Sequence, residues 1–132
     1  MIKKSHNKCL LNLTYSRHVL KFGTIGFKAI SFGYLTKEQL NSVKWSLTRK
    51  SKELNVNKTP KIWYLTFLNK TLTRLSTESR MGKGKGSIYT QLLFVKPGFI
   101  LFEFSNISKQ QAFEIFMFVR KRISIKIAII YK

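Results

Sequence analysis

The chain has 132 residues, 25 Lys plus Arg against 5 acidic residues, and a formal net charge of +20. That length suits one domain with a real core, and a composition 44% hydrophobic and 14% aromatic excludes a disordered polycationic tail, which lacks the apolar surface to offset chain entropy. A compact body so charged repels itself, so its working state calls for a polyanion, and nucleic acid is the default partner.

In chain order, Phe22 to Tyr34 (FGTIGFKAISFGY) predicts short strands bent at glycine, with Ile25, Phe27, Ala29 and Phe32 as inward candidates. Thr36 with Gln39 has the spacing of a capping box, so a helix should begin there, with Leu40, Val43, Leu47 and Leu54 on its apolar face. Asn55 to Pro60 ends it in a loop. Lys61 to Leu68 (KIWYLTFL) reads as a strand, and Asn69 to Gly86 as a long basic loop without periodicity. Ile88 to Val95 and Phe99 to Phe104 are strand-like runs joined by Lys96-Pro97-Gly98, which predicts a turn and a β-hairpin. Ser108 and Gln111 repeat the capping-box spacing before a second helix with Ala112, Ile115, Phe116, Val119 and Ile123 inward and Phe113 widening the stripe. Ser124 to Tyr131 alternates as a closing strand. The expectation is an α+β fold, two helices packed on a mixed sheet, with residues 1–20 as a basic N-terminal extension and 21–132 as a single RNA-binding domain.

The densest chemical signal is Arg80-Met81-Gly82-Lys83-Gly84-Lys85-Gly86. Alternating glycines let a backbone approach another surface closely and turn its amides toward an anion, and the three cations bring charge to the same place. A solvated linker is the bland counterpart. Neither the Walker nor the dinucleotide glycine spacing is met. Lys28, Arg49 and Lys61 are candidates for wider phosphate anchoring. Among the aromatics interleaved with these cations, Tyr34, Trp45 and Trp63, both tryptophans are expected to be partly buried packing residues.

Catalysis finds little support. Glu38, Glu53, Glu78, Glu103 and Glu114 form no paired-carboxylate motif, and an enzyme acting on tRNA or rRNA would have to lean on Glu103 or His18. His6, Cys9 and His18 match no standard metal spacing, so no catalytic residue, metal or cofactor is expected. The single Cys9 excludes an internal disulfide. The apolar runs are of strand length, so no membrane insertion is expected, and the N-terminus carries no evident secretory or transit pattern. Lys outnumbers Arg, Phe, Ile and Asn are frequent, and Asp is absent. These preferences follow AT-rich codons and point to an organellar genome or an AT-rich bacterium.

RMGKGKG at Arg80 to Gly86 resembles a signature of the universal sixteenth protein of the large ribosomal subunit, in the bacterial naming scheme. The likeness continues in order along the chain: Phe22 to Ala29 is similar to that family's FGxxGLKA segment, Leu35-Thr36 with Gln39 to its helix start, and Lys61-Ile62-Trp63 to its KIW strand. Lys96-Pro97-Gly98 with Ile100 to Glu103 is similar to its PGxxLxE hairpin, and Ile123 to Lys126 to its LPIK closing strand. The family's basic N-terminal arm is represented here by Lys3, Lys4, Lys8 and Arg17. The resemblance implies an α/β-hammerhead type fold and binding to large-subunit rRNA near the peptidyl-transferase centre and the aminoacyl-tRNA site. It also implies an Arg80 to Gly86 loop that points to the tRNA acceptor arm, neighbouring large-subunit proteins as partners, and late entry into subunit assembly. No homo-oligomer is expected. With the AT-leaning composition it suggests a mitochondrially encoded member working in the mitochondrial matrix, with plastid and bacterial origins as alternatives. A non-ribosomal RNA chaperone or single-strand binder is the competing reading.

Overall fold

The computed structural model describes residues 2–5, 19–54 and 58–132. His6, Cys9 and His18, the basic residues Lys8 and Arg17, and the start of the loop at Asn55 lie outside the described residues. The elements run β1 (Ile25–Ala29), β2 (Gly33–Thr36), α1 (Lys37–Leu54), β3 (Lys61–Tyr64), β4 (Lys70–Arg74), β5 (Ser87–Val95), β6 (Ile100–Ser105), α2 (Lys109–Arg120) and β7 (Ile127–Tyr131). The α+β class and both helices stand. The strands divide into two sheets, ordered β3-β6-β1-β7 and β2-β5-β4, and every pairing is antiparallel.

Both helices start where the hydroxyl–amide spacing places them. At α1 the Thr36 N–H donates to Gln39 Oε1 (3.1 Å) and the Gln39 N–H to Thr36 Oγ1 (3.4 Å). At α2 Ser108 and Gln111 exchange the same pair of bonds, and Gln111 Nε2 also donates to the Leu54 carbonyl at the end of α1 (3.0 Å). These contacts satisfy N–H groups that a helix start otherwise leaves without partners. Leu40, Val43 and Leu47 of α1 and Ala112, Ile115 and Val119 of α2 are buried. All of these but Ala112 join Phe27, Leu35, Val95, Phe102 and Phe104 in one core. Phe113 does not widen the α2 stripe: it is exposed, two residues from both Ile115 and Gln111 and so off the buried face.

The predicted β5–β6 hairpin does not form. Its turn does: Gly98 has φ 86° and the Phe99 N–H donates to the Lys96 carbonyl (3.2 Å). But β5 lies between β2 and β4, and β6 between β3 and β1. Each is a central strand whose two edges are already filled by other strands, so the turn carries the chain from one sheet to the other. It is docked on β1 by Gly98 N–H to Ala29 C=O (2.7 Å) and Ala29 N–H to Phe99 C=O (2.8 Å). The predicted strand from Lys61 to Leu68 is shorter, with β3 ending at Tyr64 and one further bond to β6 from the Leu65 N–H to the Leu101 carbonyl (3.1 Å). Conversely the basic loop expected from Asn69 contains β4, an edge strand whose Lys, Thr and Arg side chains hid it.

Glu103 on β6 is fully buried and accepts three consecutive backbone N–H groups, from Lys21 (3.3 Å), Phe22 (2.7 Å) and Gly23 (2.7 Å). A Cβ on Gly23 would stand 2.5 Å from the Phe104 carbonyl oxygen. Glycine and carboxylate together seat residues 21–23 on the first sheet.

Candidate nucleic-acid interface

β4 and β5 pair from Lys70↔Leu92 to Arg74↔Ser87, and between them residues 75–86 form the tip of a long hairpin. The register slips between Leu72↔Thr90 and Thr73↔Ile88, which leaves Tyr89 as an extra residue on β5. A bulge of this kind twists a hairpin and re-aims its end. The Arg74 guanidinium lies 5.5 Å from the centre of the exposed Tyr89 ring. At the neck, a Cβ on Gly86 would collide with the Arg74 carbonyl, so glycine is what lets the two strands close there.

Beyond the neck the tip is open. Gly82 and Gly84 have φ 90° and 103°, which L side chains rarely adopt, and a Cβ on either would meet nothing within 4 Å. Arg80, Met81, Lys83 and Lys85 are exposed, Met81 to 91%. Glu78 is the one acid among residues 75–86. The tip therefore presents three cations and a bare backbone with almost no compensating charge, which suits phosphate oxygens in both charge and steric access.

The N-terminal residues reinforce this base. The Ser5 N–H donates to Thr71 Oγ1 (2.8 Å) and the Thr71 N–H to Ser5 Oγ (3.0 Å), tying the segment to β4. Lys4 Nζ donates to the Lys85 carbonyl (3.2 Å), and Lys85 Nζ to the Ser5 carbonyl. Lys3 and Lys4 are thereby added to the cations of the hairpin. Sequence reasoning did not join these two regions, although the paired lysines at the start were visible; only the sheet edge explains why Ser5 returns to Thr71.

The other candidate cations are not gathered with the tip. Lys28 is half-buried on β1, Arg49 is exposed on α1, and Lys61 is exposed on β3, at the edge of the first sheet. Arg49 is bonded to Glu53 (Nε to Oε1, 3.1 Å) and lies 5.4 Å from the centre of the Trp45 ring. Lys61 sits 5.3 Å over Trp63, which stacks at 6.0 Å on Phe22. The expectation of partial burial holds for Trp63 and fails for Trp45, which is 63% exposed. Trp45 and Arg49, one helical turn apart, were the signal of a second basic-aromatic surface that charge counting alone passes over. Glu103, on which an enzymatic reading would have leaned, has its oxygens committed to backbone N–H groups inside the protein. Among the described residues no group of three His, Cys, Asp or Glu could hold a metal ion, and no helix is long and apolar enough to cross a membrane.

Comparison with known proteins agrees with the order of motifs along the chain. The family model for ribosomal protein L16p/L10e matches residues 2–130. The large ribosomal subunit protein uL16m of Chondrus crispus is 44% identical over 128 residues, covering 96% of this chain and 93% of that protein. The uL16c protein of Emiliania huxleyi is 31% identical (97% of this chain, 89% of that protein), and uL16 of Aeromonas hydrophila is 32% identical (98% and 91%). With a match over nearly the whole length and a basic body that carries the family's motifs in order, the chain belongs to the ribosomal protein L16p/L10e family, and it is a structural constituent of the large ribosomal subunit rather than an enzyme.

Proposed function

We propose that this protein binds large-subunit rRNA near the peptidyl-transferase centre and extends the 75–86 tip toward the acceptor arm of the aminoacyl-site tRNA, supporting translation and late subunit assembly. The observation that carries the reading is the tip itself, where exposed Arg80, Lys83 and Lys85 alternate with positive-φ glycines whose Cβ positions are empty. Arg80, Lys83 and Lys85 make the phosphate contacts, and Gly82 and Gly84 allow close backbone approach, with Met81 against the RNA surface; Gly86, expected to share that role, instead closes the neck of the hairpin against Arg74. Lys28, Arg49 and Lys61 anchor rRNA elsewhere on the domain of residues 21–132, and residues 1–20 act as a basic extension whose first residues brace the hairpin. The protein works as a single copy beside neighbouring large-subunit proteins. Its similarity to a uL16m protein and its AT-leaning composition support the mitochondrial ribosome as its place of work.

The test is a photo-crosslinker at position 83 in ribosomes assembled with the full chain. Crosslinks to aminoacyl-site tRNA or to adjacent large-subunit rRNA are expected. A crosslink only to solvent-side protein, with tRNA bound, overturns the placement of the tip.

A further inference from the structure

A second basic-aromatic site lies between α1 and α2, on elements separate from the β4–β5 hairpin. Here Trp45, Arg49, Lys50 and Glu53 from α1 face Phe118 from the end of α2 and Arg122 from the turn that follows it, around a cavity of about 310 Å³. Trp45 is off the buried stripe formed by Leu40, Val43 and Leu47, so the core makes no use of its ring, and a tryptophan left 63% exposed keeps a large flat apolar surface in water. The charge balance around it is three cations to one acid. Glu53 reaches Arg49 (3.1 Å) and Lys50 (3.5 Å), while Arg122 lies 3.8 Å from the centre of the Phe118 ring and is bonded through Nη1 to the Phe118 carbonyl (3.1 Å). Arg122 is thus aimed by the last turn of α2, with guanidinium donors to spare.

The occupant must offer a flat ring to Trp45 and an anion to the cations. The cavity is at the small end of the range for bound organic groups, roughly 300–1,000 Å³. It holds one base with its sugar and phosphate; a duplex would have to stay outside. Unpaired nucleotides are recognised in this way, by stacking on aromatic or guanidinium planes with cations on the backbone. We propose that the α1–α2 groove binds one unpaired nucleotide of RNA, its base stacked on Trp45 and its phosphate held by Arg122 and Lys50. The inference rests on the RNA-binding reading above and adds a site and a ligand state to it.

The full chain carrying Trp63→Phe leaves Trp45 as its single tryptophan. Its fluorescence and accessibility to acrylamide are followed on adding an unstructured ten-nucleotide RNA or an RNA duplex of the same length. The single strand is expected to quench and shield Trp45, and the duplex to bind without doing either. Trp45→Ala should weaken single-strand binding about fivefold or more while leaving duplex binding within about twofold, Trp45→Phe should retain part of the difference, and Arg122→Gln should lower the salt dependence. If the single strand binds with Trp45 unshielded and Trp45→Ala binds it equally well, the groove proposal falls while the RNA-binding reading stands. If neither RNA binds at low salt, both fall. If Trp45 is shielded in assembled subunits by a protein neighbour and never by RNA, the groove is a protein contact and the proposal is overturned.

Discussion

Glu103 is the residue whose chemistry the fold explains most fully. A buried carboxylate is costly unless its charge is met, and here three successive N–H groups meet it. Glu103→Gln keeps the shape but turns an amide NH₂ toward donors and removes the charge that strengthens the bonds. It should cost about 2 kcal/mol of stability, read as a lowered urea midpoint with an unchanged slope, and proteolysis should become faster near Lys21 to Gly23. An unchanged midpoint would mean that residues 21–23 are held by something other than this carboxylate. The glycines divide by the same kind of argument. Gly23 and Gly86 are required by neighbouring backbone, whereas Gly82 and Gly84 meet nothing and are required by their dihedral angles. Motif spacing marks all four alike, and only the packing separates structural from presenting glycines.

At the scale of elements, α1 is fastened to the second sheet by Thr90 on β5, whose hydroxyl donates to both carboxylate oxygens of Glu38 (2.9 and 3.1 Å) in the helix's first turn. The backbone N–H at the helix start, and next the Thr90 hydroxyl, hold the Glu38 carboxyl below its ordinary value of 4.5. A carboxyl whose pKa is lower folded than unfolded contributes stability that is complete above the unfolded value and is lost as pH falls through the folded one. Thr90→Val should therefore lower the urea midpoint clearly at pH 7 and by progressively less as the pH falls below 4.5 and through the lowered folded value, because the charge-dependent part is lost once Glu38 is protonated in both states. A pH-independent difference would point to packing alone. Local signals read well at this scale: both capping boxes, the α1 stripe and the Lys96–Phe99 turn were legible because each is settled by residues three or four apart. The β5–β6 hairpin was misread because pairing is decided by strand edges, and those edges are claimed by β4 across its own hairpin and by β1, β2 and β3 from far along the chain. β4 was missed because an edge strand with solvent on one side carries the polar composition of a loop. The candidate site was legible in its charges and glycines, and illegible in its support, since nothing local to Ser5 announces Thr71.

For the whole molecule the governing quantity is +20 on 132 residues. Binding of the full chain to large-subunit rRNA should release counterions in proportion to the phosphates engaged. With roughly six such contacts, log affinity should fall with log salt at a slope of about −4 to −5, and Lys83→Gln should reduce that slope by somewhat under one unit. A filter-binding series across salt concentrations checks both, and a flat response would remove the phosphate mechanism. The thermal midpoint should also rise when RNA is added, because a ligand that binds only the folded form stabilises it. The strand order has one more result. β1 is completed by β7, the strand most distant from it in sequence. During synthesis the first sheet therefore keeps an open flank until β7 has left the exit tunnel, and that half of the fold closes by joining its earliest strand to its latest.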